Sequence, residues 1–353
     1  MHGRISSRWT APAGAWAVAL QLALAGAVAA APPTPAPPAV PPAVVPPVVD
    51  LATLQVTGEQ PGPGLWKVTT PQGHVLSILG TVTPIPAGVQ WRSDEVRQAI
   101  AGADHVLGSP GWTLDMDVGF FKGLTLLPLA RSAMRDPEGR TLQQQLPAAT
   151  YARWEGLKQS YLGRDRGVEK ERPMIASGRL YTAFLKGNGL RNGSEVSDAL
   201  KAAYKARGLK SEDTRLKLKV DDARAALKEM QATDLDDAAC FERTLDVVEF
   251  QAPVLRERAN AWALGDVAAL RRLSMAETVR TCVESIEDSS IARRRGWTNL
   301  EARGKAQWLA KVDAALATHA QTFATVPVSL LVGPSNYIDA LVARGYQLEA
   351  PPE

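Results

Sequence analysis

The apolar run at residues 75–79 most constrains the fold, because it ends at Gly80 and is closed by Pro84. A short apolar run that ends in glycine and proline is typical of a buried strand entering a loop at a sheet edge. In open α/β folds, ligand sites lie in such loops, at the carboxyl ends of strands. A reactive strand end would carry an ionisable or metal-binding side chain, and this one carries Thr83.

The neighbouring segments predict an α/β (α+β) fold with a central mixed sheet. Residues 65–69 and 75–79 are strand-like, and the proline-glycine link between them predicts an N-terminal hairpin with His74 facing solvent in its turn. A helix capped by Ser93 follows, and then a strand that contains His105. This histidine is interpreted as a packed or edge residue of the strand.

The rest of the chain predicts a large helical middle section and a return to the sheet. Residues 120–273 are mostly helical in pattern, with a short alternating strand at 216–220. A helix at 300–319 precedes a buried strand at 325–334, a short helix at 337–344 and a final strand at 346–349. The 353 residues suffice for a single large domain, which we assign to 61–350.

The N-terminus is typical of an exported protein. Arg4 and Arg8 precede an apolar segment over 13–28, and small residues follow with A-x-A spacing. We interpret residues 1–31 as a signal peptide and expect a periplasmic or secreted protein. An uncleaved anchor is the alternative, although the apolar segment is short for a span and contains Gln21. Residues 32–60 begin with a polyproline stretch and are interpreted as a stiff linker.

The cysteine count and the net charge bear on the redox state of the protein and on its partners. Cys240 and Cys282 are an even pair in a chain with an export signal, which favours a disulfide over two separately buried thiols. The net charge is +3, and Arg293-Arg294-Arg295 is the densest basic run, so no nucleic-acid partner is predicted. No second apolar run approaches the length of a membrane span.

Common catalytic motifs are missing from the sequence. There is no G-x-S-x-G elbow, H-E-x-x-H, Walker loop or C-x-x-C. Beyond the predicted signal peptide only three histidines remain, at positions 74, 105 and 319. Asp115 and Asp117 are the carboxylates nearest a strand exit, and a solvated loop is their simpler interpretation.

The order of motifs resembles the TraB/GumN family, whose relatives include Tiki-like, ChaN-like and erythromycin-esterase-like proteins. The opening L-W-K-V and the strand into Gly80-Thr81-Val82-Thr83 resemble the family's L-W-[KR]-V and G-[ST]-x-H. The segment from Ala103 resembles A-D-x-[LV]-x-x-E, and Trp262-x-x-Gly265-Asp266 resembles W-x-x-G-D. The last part resembles V-G-x-x-H-L-x-G-P followed by R-G-Y, with the positions in step listed here: Leu331, Gly333, Pro334, Leu341, Arg344, Gly345 and Tyr346.

The resemblance implies a divalent metal held by two histidines and a glutamate, but those positions differ in this chain. The first histidine falls on Thr83, which keeps Gly80 before it. The glutamate falls on Ser109, or on Gly108 with a one-residue shift, and the second histidine falls on Leu330. Arg303 stands where the family has an Arg-Asn pair, with glycine in place of the asparagine. Thr and Ser are poor metal ligands and Leu is none, so the resemblance implies a vestigial site without a metal cofactor.

Two functions remain open from the sequence. The first is a catalytically inactive TraB/GumN-like protein that binds a ligand or an envelope partner, which would be a protein, a peptide or a small molecule. The second is a metal-dependent hydrolase or protease that uses residues outside the aligned motifs. Its candidate side chains would be Glu95, His105, Asp115 and Asp117.

Overall fold

The computed structural model describes residues 62–116, 118–192, 194–233, 235–333 and 336–351. The predicted signal peptide and linker lie outside the described residues, as do Asp117 and Pro334. The described residues belong to one compact unit. None of their helices is long and apolar enough to cross a membrane.

Helices surround a short-stranded sheet. The strands are β1 (Leu65–Thr69), β2 (Val75–Thr81), β3 (Ile85–Pro86), β4 (His105–Leu107), β5 (Trp112–Met116), β6 (Leu190–Arg191), β7 (Ser211–Glu212), β8 (Leu216–Val220), β9 (Gln321–Pro327) and β10 (Gln347–Glu349). The helices are α1 (Asp94–Gly102), α2 (Phe120–Ala133), α3 (Leu142–Gln145), α4 (Ala148–Tyr161), α5 (Pro173–Gly187), α6 (Ser194–Ala206), α7 (Ala223–Ala232), α8 (Ala238–Phe250), α9 (Ala252–Ala263), α10 (Val267–Arg272), α11 (Ala276–Glu287), α12 (Ser290–Arg295), α13 (Leu300–Thr318), α14 (Val328–Val332) and α15 (Tyr337–Val342), with a 3-10 turn at Val168–Lys170.

The predicted mixed sheet is confirmed. Six strands pair in the order β10-β1-β2-β9-β4-β7. The pairs β10-β1 and β1-β2 are antiparallel, whereas β2-β9, β9-β4 and β4-β7 are parallel. Parallel strands are covered on both faces, which explains the continuous apolar runs in the sequence. Leu76, Ile78 and Leu79 of β2 and Phe323 and Ala324 of β9 are fully buried.

The N-terminal hairpin forms as predicted, but the prediction that His74 faces solvent is wrong. The turn closes with a hydrogen bond from the backbone N–H of Thr70 to the carbonyl of His74, and Gly73 takes a φ of 84°. The His74 ring is half-buried, and its Nδ1 lies 2.6 Å from the carbonyl oxygen of Leu316 at the end of α13. The ring therefore ties the hairpin to a helix.

The helical middle section is also confirmed, and it has its own core. Trp154 of α4, Phe184 of α5 and Phe241 of α8 are fully buried together, separately from the core around the sheet. The predicted disulfide is present, since the sulfurs of Cys240 and Cys282 are 2.02 Å apart. This bond fastens α11 to α8.

Two local predictions are wrong. The buried strand expected at 325–334 stops at Pro327, and α14 begins at Val328. Asp115 does not lie in a loop but in β5, opposite Lys219 of β8. The predicted strand-helix-strand return to the sheet is retained, because α14 and α15 connect β9 to β10.

Candidate functional site

Four of the sequence-predicted site positions lie at or after the carboxyl ends of neighbouring parallel strands, whereas Arg303 lies in α13. Gly80 lies near the end of β2 and Thr83 follows that strand, Ser109 follows β4, and Leu330 follows β9. The strands adjoin in the sheet, so these positions share the edge at which α/β folds bind ligands.

Close packing explains Gly80. A Cβ atom at this position would lie 2.8 Å from Cζ3 of Trp66 and 3.3 Å from Cδ1 of Leu331. Its carbonyl accepts a hydrogen bond of 2.6 Å from Nε1 of the buried Trp262 in α9. The glycine thus brings the end of β2 against two indole rings and α14.

Thr83 is exposed, and its backbone connects it to a buried charge. Its carbonyl oxygen accepts a hydrogen bond of 3.1 Å from Nη1 of Arg258 in α9. The Arg258 side chain is 4% exposed, and its Nε has no hydrogen-bond partner among the described residues. Burial lowers the pKa of this guanidinium, although arginine stays charged at neutral pH.

The Ser109 hydroxyl is held by another hydroxyl, not by a base. Its Oγ lies 2.9 Å from Oγ1 of Thr325 in β9. The backbone carbonyls of Gly108 and Ser109 accept hydrogen bonds from Oγ1 of Thr214, at 2.9 and 3.0 Å. A serine nucleophile needs an adjacent base, and the contacts of Ser109 do not supply one.

Leu330 and the start of α13 line a small cavity of about 160 Å³. Leu330 is half-buried in α14, and Gly304 of α13 faces the same space. Arg303 does not line this cavity; its Nη1 donates to the carbonyls of Gly296 and Thr298, at 2.7 and 3.2 Å. The guanidinium therefore closes the turn after α12.

A larger cavity of about 530 Å³ lies beside Thr83. Helices α5, α8 and α11 form its walls, and the Cys240–Cys282 disulfide lies in its lining. Val279 and Val283 of α11 line both this cavity and the one beside Leu330, so α11 separates them. Ser109 lines a third space of about 360 Å³ together with Glu212, Asp213 and Arg215.

The lining of the large cavity is almost free of titratable groups. Among its described residues, Tyr181 of α5 is the one side chain that can titrate, because both cysteines are oxidised. Burial raises the pKa of Tyr181, so its hydroxyl stays protonated at neutral pH. The cavity has the volume and apolar character of a small-molecule site.

The side chains of the alternative hydrolase site are scattered. His105 lies in β4, with Nε2 3.0 Å from Oε2 of Glu212 and its ring stacked 4.5 Å from that of His319. Glu95 is exposed on α1 near Lys67, and Asp115 lies in β5. Within the described ranges, no three His, Cys, Asp or Glu side chains are grouped so that they could hold a metal ion.

Sequence reasoning did not single out Arg258 or Tyr181. One signal for Arg258 was present, since it lies between Leu255 and Trp262 at helical spacing, on the apolar face of α9. An arginine on a buried face requires hydrogen-bond acceptors or a counter-ion, because a buried charge is costly. This requirement makes it a candidate binding residue. The cavity itself had no sequence signal, because its lining comes from helices far apart in the chain.

The fold and this carboxyl-edge site define an α/β protein with a large helical insertion. The chain matches the model of the TraB/PrgY/gumN family over residues 64–350, and it belongs to that family. Comparison with curated proteins and with solved structures finds no match. The assignment of the family's ligand positions to Thr83, Ser109 and Leu330 remains a prediction.

Proposed function

We propose that this protein is a periplasmic or secreted member of the family that binds a small, largely apolar ligand and does not hydrolyse it. The observation that carries the proposal is the large cavity beside Thr83, whose described lining has Tyr181 as its one titratable side chain. Hydrolysis requires a positioned base, nucleophile or metal ligand, and a protonated phenol is none of these at neutral pH.

The three aligned positions support the same function. Thr83 is exposed and lines the cavity, the hydroxyl of Ser109 contacts that of Thr325, and Leu330 is apolar. The Leu330 side chain cannot hold a metal ion, and the two hydroxyls are weak ligands. Of the three positions, Thr83 lines the proposed binding cavity, while Leu330 and Ser109 line separate spaces.

A cavity-filling variant tests the binding function. A Cβ atom at Gly178 of α5 would meet no other atom within 4 Å, and this residue lines the cavity. We expect the neutral dye Nile red to bind the mature protein saturably, and Gly178→Phe to weaken it at least tenfold. Gly156→Phe is the matched control, since a Cβ at that exposed position of α4 also meets nothing. Absence of saturable dye binding would contradict the proposed cavity function.

The metal content of the purified protein tests the proposal that it is catalytically inactive. We expect purified mature protein to lose Zn, Mn and Co on dialysis, as measured by elemental mass spectrometry. One equivalent of any of these metals after dialysis would instead support the metal-dependent hydrolase.

Restoring the family's side chains tests the alignment. The triple variant Thr83→His, Ser109→Glu and Leu330→His should gain a stoichiometric divalent metal. The matched control carries glutamine at all three positions, because an amide of similar size is a much poorer ligand for Zn. A folded triple variant that binds no metal would show that the positions are assigned wrongly.

A further inference from the structure

Arg258 is a buried cation with no carboxylate partner among the described residues. Its side chain is 4% exposed, and its Nη1 donates a hydrogen bond of 3.1 Å to the carbonyl of Thr83. The Nε atom is buried and meets no acceptor in the described part of the chain. Buried charges in proteins are normally paired, because removing them from water is costly. Within the described ranges no anion offsets the charge of this guanidinium.

A second buried arginine has a hydrogen-bond acceptor for each of its guanidinium nitrogens. Arg172 is 2% exposed, and its Nε donates to the carbonyl of Ala133 at 3.0 Å. Its Nη1 and Nη2 donate to the carbonyls of Thr233 and Met230, both at 2.7 Å. These carbonyls lie at helix ends, where the macrodipole is negative. Arg172 thus has a structural role that Arg258 lacks.

Arg258 is linked to two residues that line the large cavity. It contacts Thr83 and interacts electrostatically with Tyr181, and both residues line the cavity. Pro84 and Asn192 line the cavity as well, on segments that the pairing of β3 with β6 brings together. The effective dielectric is low inside a protein, so this charge acts strongly on a ligand group near Thr83.

Three polar side chains of the lining can donate hydrogen bonds to a ligand. They are the hydroxyls of Thr83 and Tyr181 and the amide of Asn192. None of the three side chains has a hydrogen-bond partner within the described part of the chain. The remainder of the lining is mostly apolar, including Val279, Val283 and Ile286 of α11.

We propose that the cavity binds an amphipathic carboxylate, with its acidic group at the Thr83–Tyr181 end facing Arg258 and its hydrocarbon part along α11. The proposal rests on the proposed function, because it assigns a ligand class to the same cavity. The positive charge of Arg258 and the three hydrogen-bond donors favour a carboxylate group. The apolar lining favours a hydrocarbon chain.

Three probes of equal chain length test the charge preference. Dodecanoate, dodecanol and dodecylammonium are titrated into the mature protein, with displacement of Nile red as the readout. We expect dodecanoate to bind at least tenfold more tightly than dodecanol, and dodecylammonium to bind most weakly. Equal affinities for dodecanoate and dodecanol would overturn the proposal.

Substitution of the arginine tests its role directly. Arg258→Met removes the charge and keeps a long apolar side chain, so dodecanoate should lose at least tenfold in affinity while dodecanol stays within twofold. Arg258→Lys should keep the preference for the carboxylate. Arg256→Met is the matched control, because Arg256 is exposed on the same helix and donates to the carbonyl of Asn188.

The outcomes separate this inference from the proposed function. If Nile red binds but the probes are not discriminated by charge, the cavity is a ligand site and the carboxylate assignment is wrong. If neither the dye nor any probe binds, the proposed function fails as well. Circular dichroism establishes that each variant is folded, and should Arg258→Met unfold, the wild-type probe ranking and Arg258→Lys still decide the question.

Discussion

At the scale of single residues, the retained family positions are explained by packing. Gly80 is needed because Trp66 leaves no room for a Cβ atom, and Trp262 donates to its carbonyl. Both contacts stabilise the fold whether or not the site is reactive. A glycine and a tryptophan at these positions therefore identify the scaffold and say nothing about catalysis.

Replacing Gly80 tests this interpretation. We expect Gly80→Ala to lower the free energy of unfolding by about 1–3 kcal/mol, because the added methyl group overpacks a dense core. Urea denaturation measures the change. Gly178→Ala is the control, since its Cβ meets nothing within 4 Å and alanine is the better helix former. Stability of Gly80→Ala equal to that of the wild type would refute the packing argument.

The residue scale also shows how far sequence could predict the site. Glycine and proline mark the strand ends in the sequence, so the sequence predicts that the site positions lie at the sheet edge. The structure confirms this placement. Arg258 could not be assigned to the cavity, because its contact with Thr83 joins segments 175 residues apart. Such a contact depends on the packing of α9 against the sheet, which no local pattern encodes.

At the scale of elements, α14 shows why one strand prediction was wrong. The apolar run after Thr325 suits a buried strand or a buried helix equally, because short runs have no distinguishing period. Pro327 decides the outcome: it ends the pairing of β9 and precedes the first residue of α14. Proline has no backbone N–H to donate to a neighbouring strand, so it suits the last residue of a strand and not the interior.

The disulfide is the covalent link between α11 and the rest of the cavity wall. The double variant Cys240→Ala and Cys282→Ala should be less stable by about 2–4 kcal/mol, since the loop it closes regains entropy when unfolded. Nile red affinity should fall in parallel, because α11 contributes Val279, Val283 and Ile286 to the lining. Reduction of the wild type should reproduce both changes and leave the double variant unaffected. Unchanged stability in the double variant would contradict the prediction.

Edge strand β7 is fastened by a charge cluster that depends on pH. Lys311 of α13 lies 2.7 Å from Oε1 of Glu212, and this contact lowers the pKa of Glu212 from 4.5 despite partial burial, with His105 adding to the effect. A lowered pKa in the folded state means that the stabilisation is present above pH 4.5 and is lost as pH falls through the folded pKa.

Glu212→Gln tests that dependence. The wild type should be more stable than the variant at pH 7, and the difference should shrink as pH falls below about 4.5. Urea titrations at a series of pH values measure it. Lys311→Met removes the cationic partner of Glu212 and should abolish the same difference in stability. A difference that grows on acidification would have the wrong sign and would exclude this account.

At the scale of the whole molecule, the predicted export determines the compartment in which the proposed cavity would bind its ligand. We expect the expressed chain to appear in the periplasmic fraction with its N-terminus near Ala29 to Ala31, because small residues with A-x-A spacing follow the apolar segment. Intact-mass measurement and N-terminal sequencing test this. A membrane-bound product that retains Met1 would indicate the uncleaved anchor.

The pairing of β2 with β9 has a consequence for folding. These two strands come from opposite ends of the domain, and β10 closes the sheet on β1. Neither side of the N-terminal hairpin can be completed until nearly the last residues are available, and contacts of this separation make folding slow. For a chain that crosses a membrane unfolded, slow folding is useful. If the chain is exported as its N-terminus predicts, this topology would delay the native state until the C-terminal strands have followed the hairpin across the membrane.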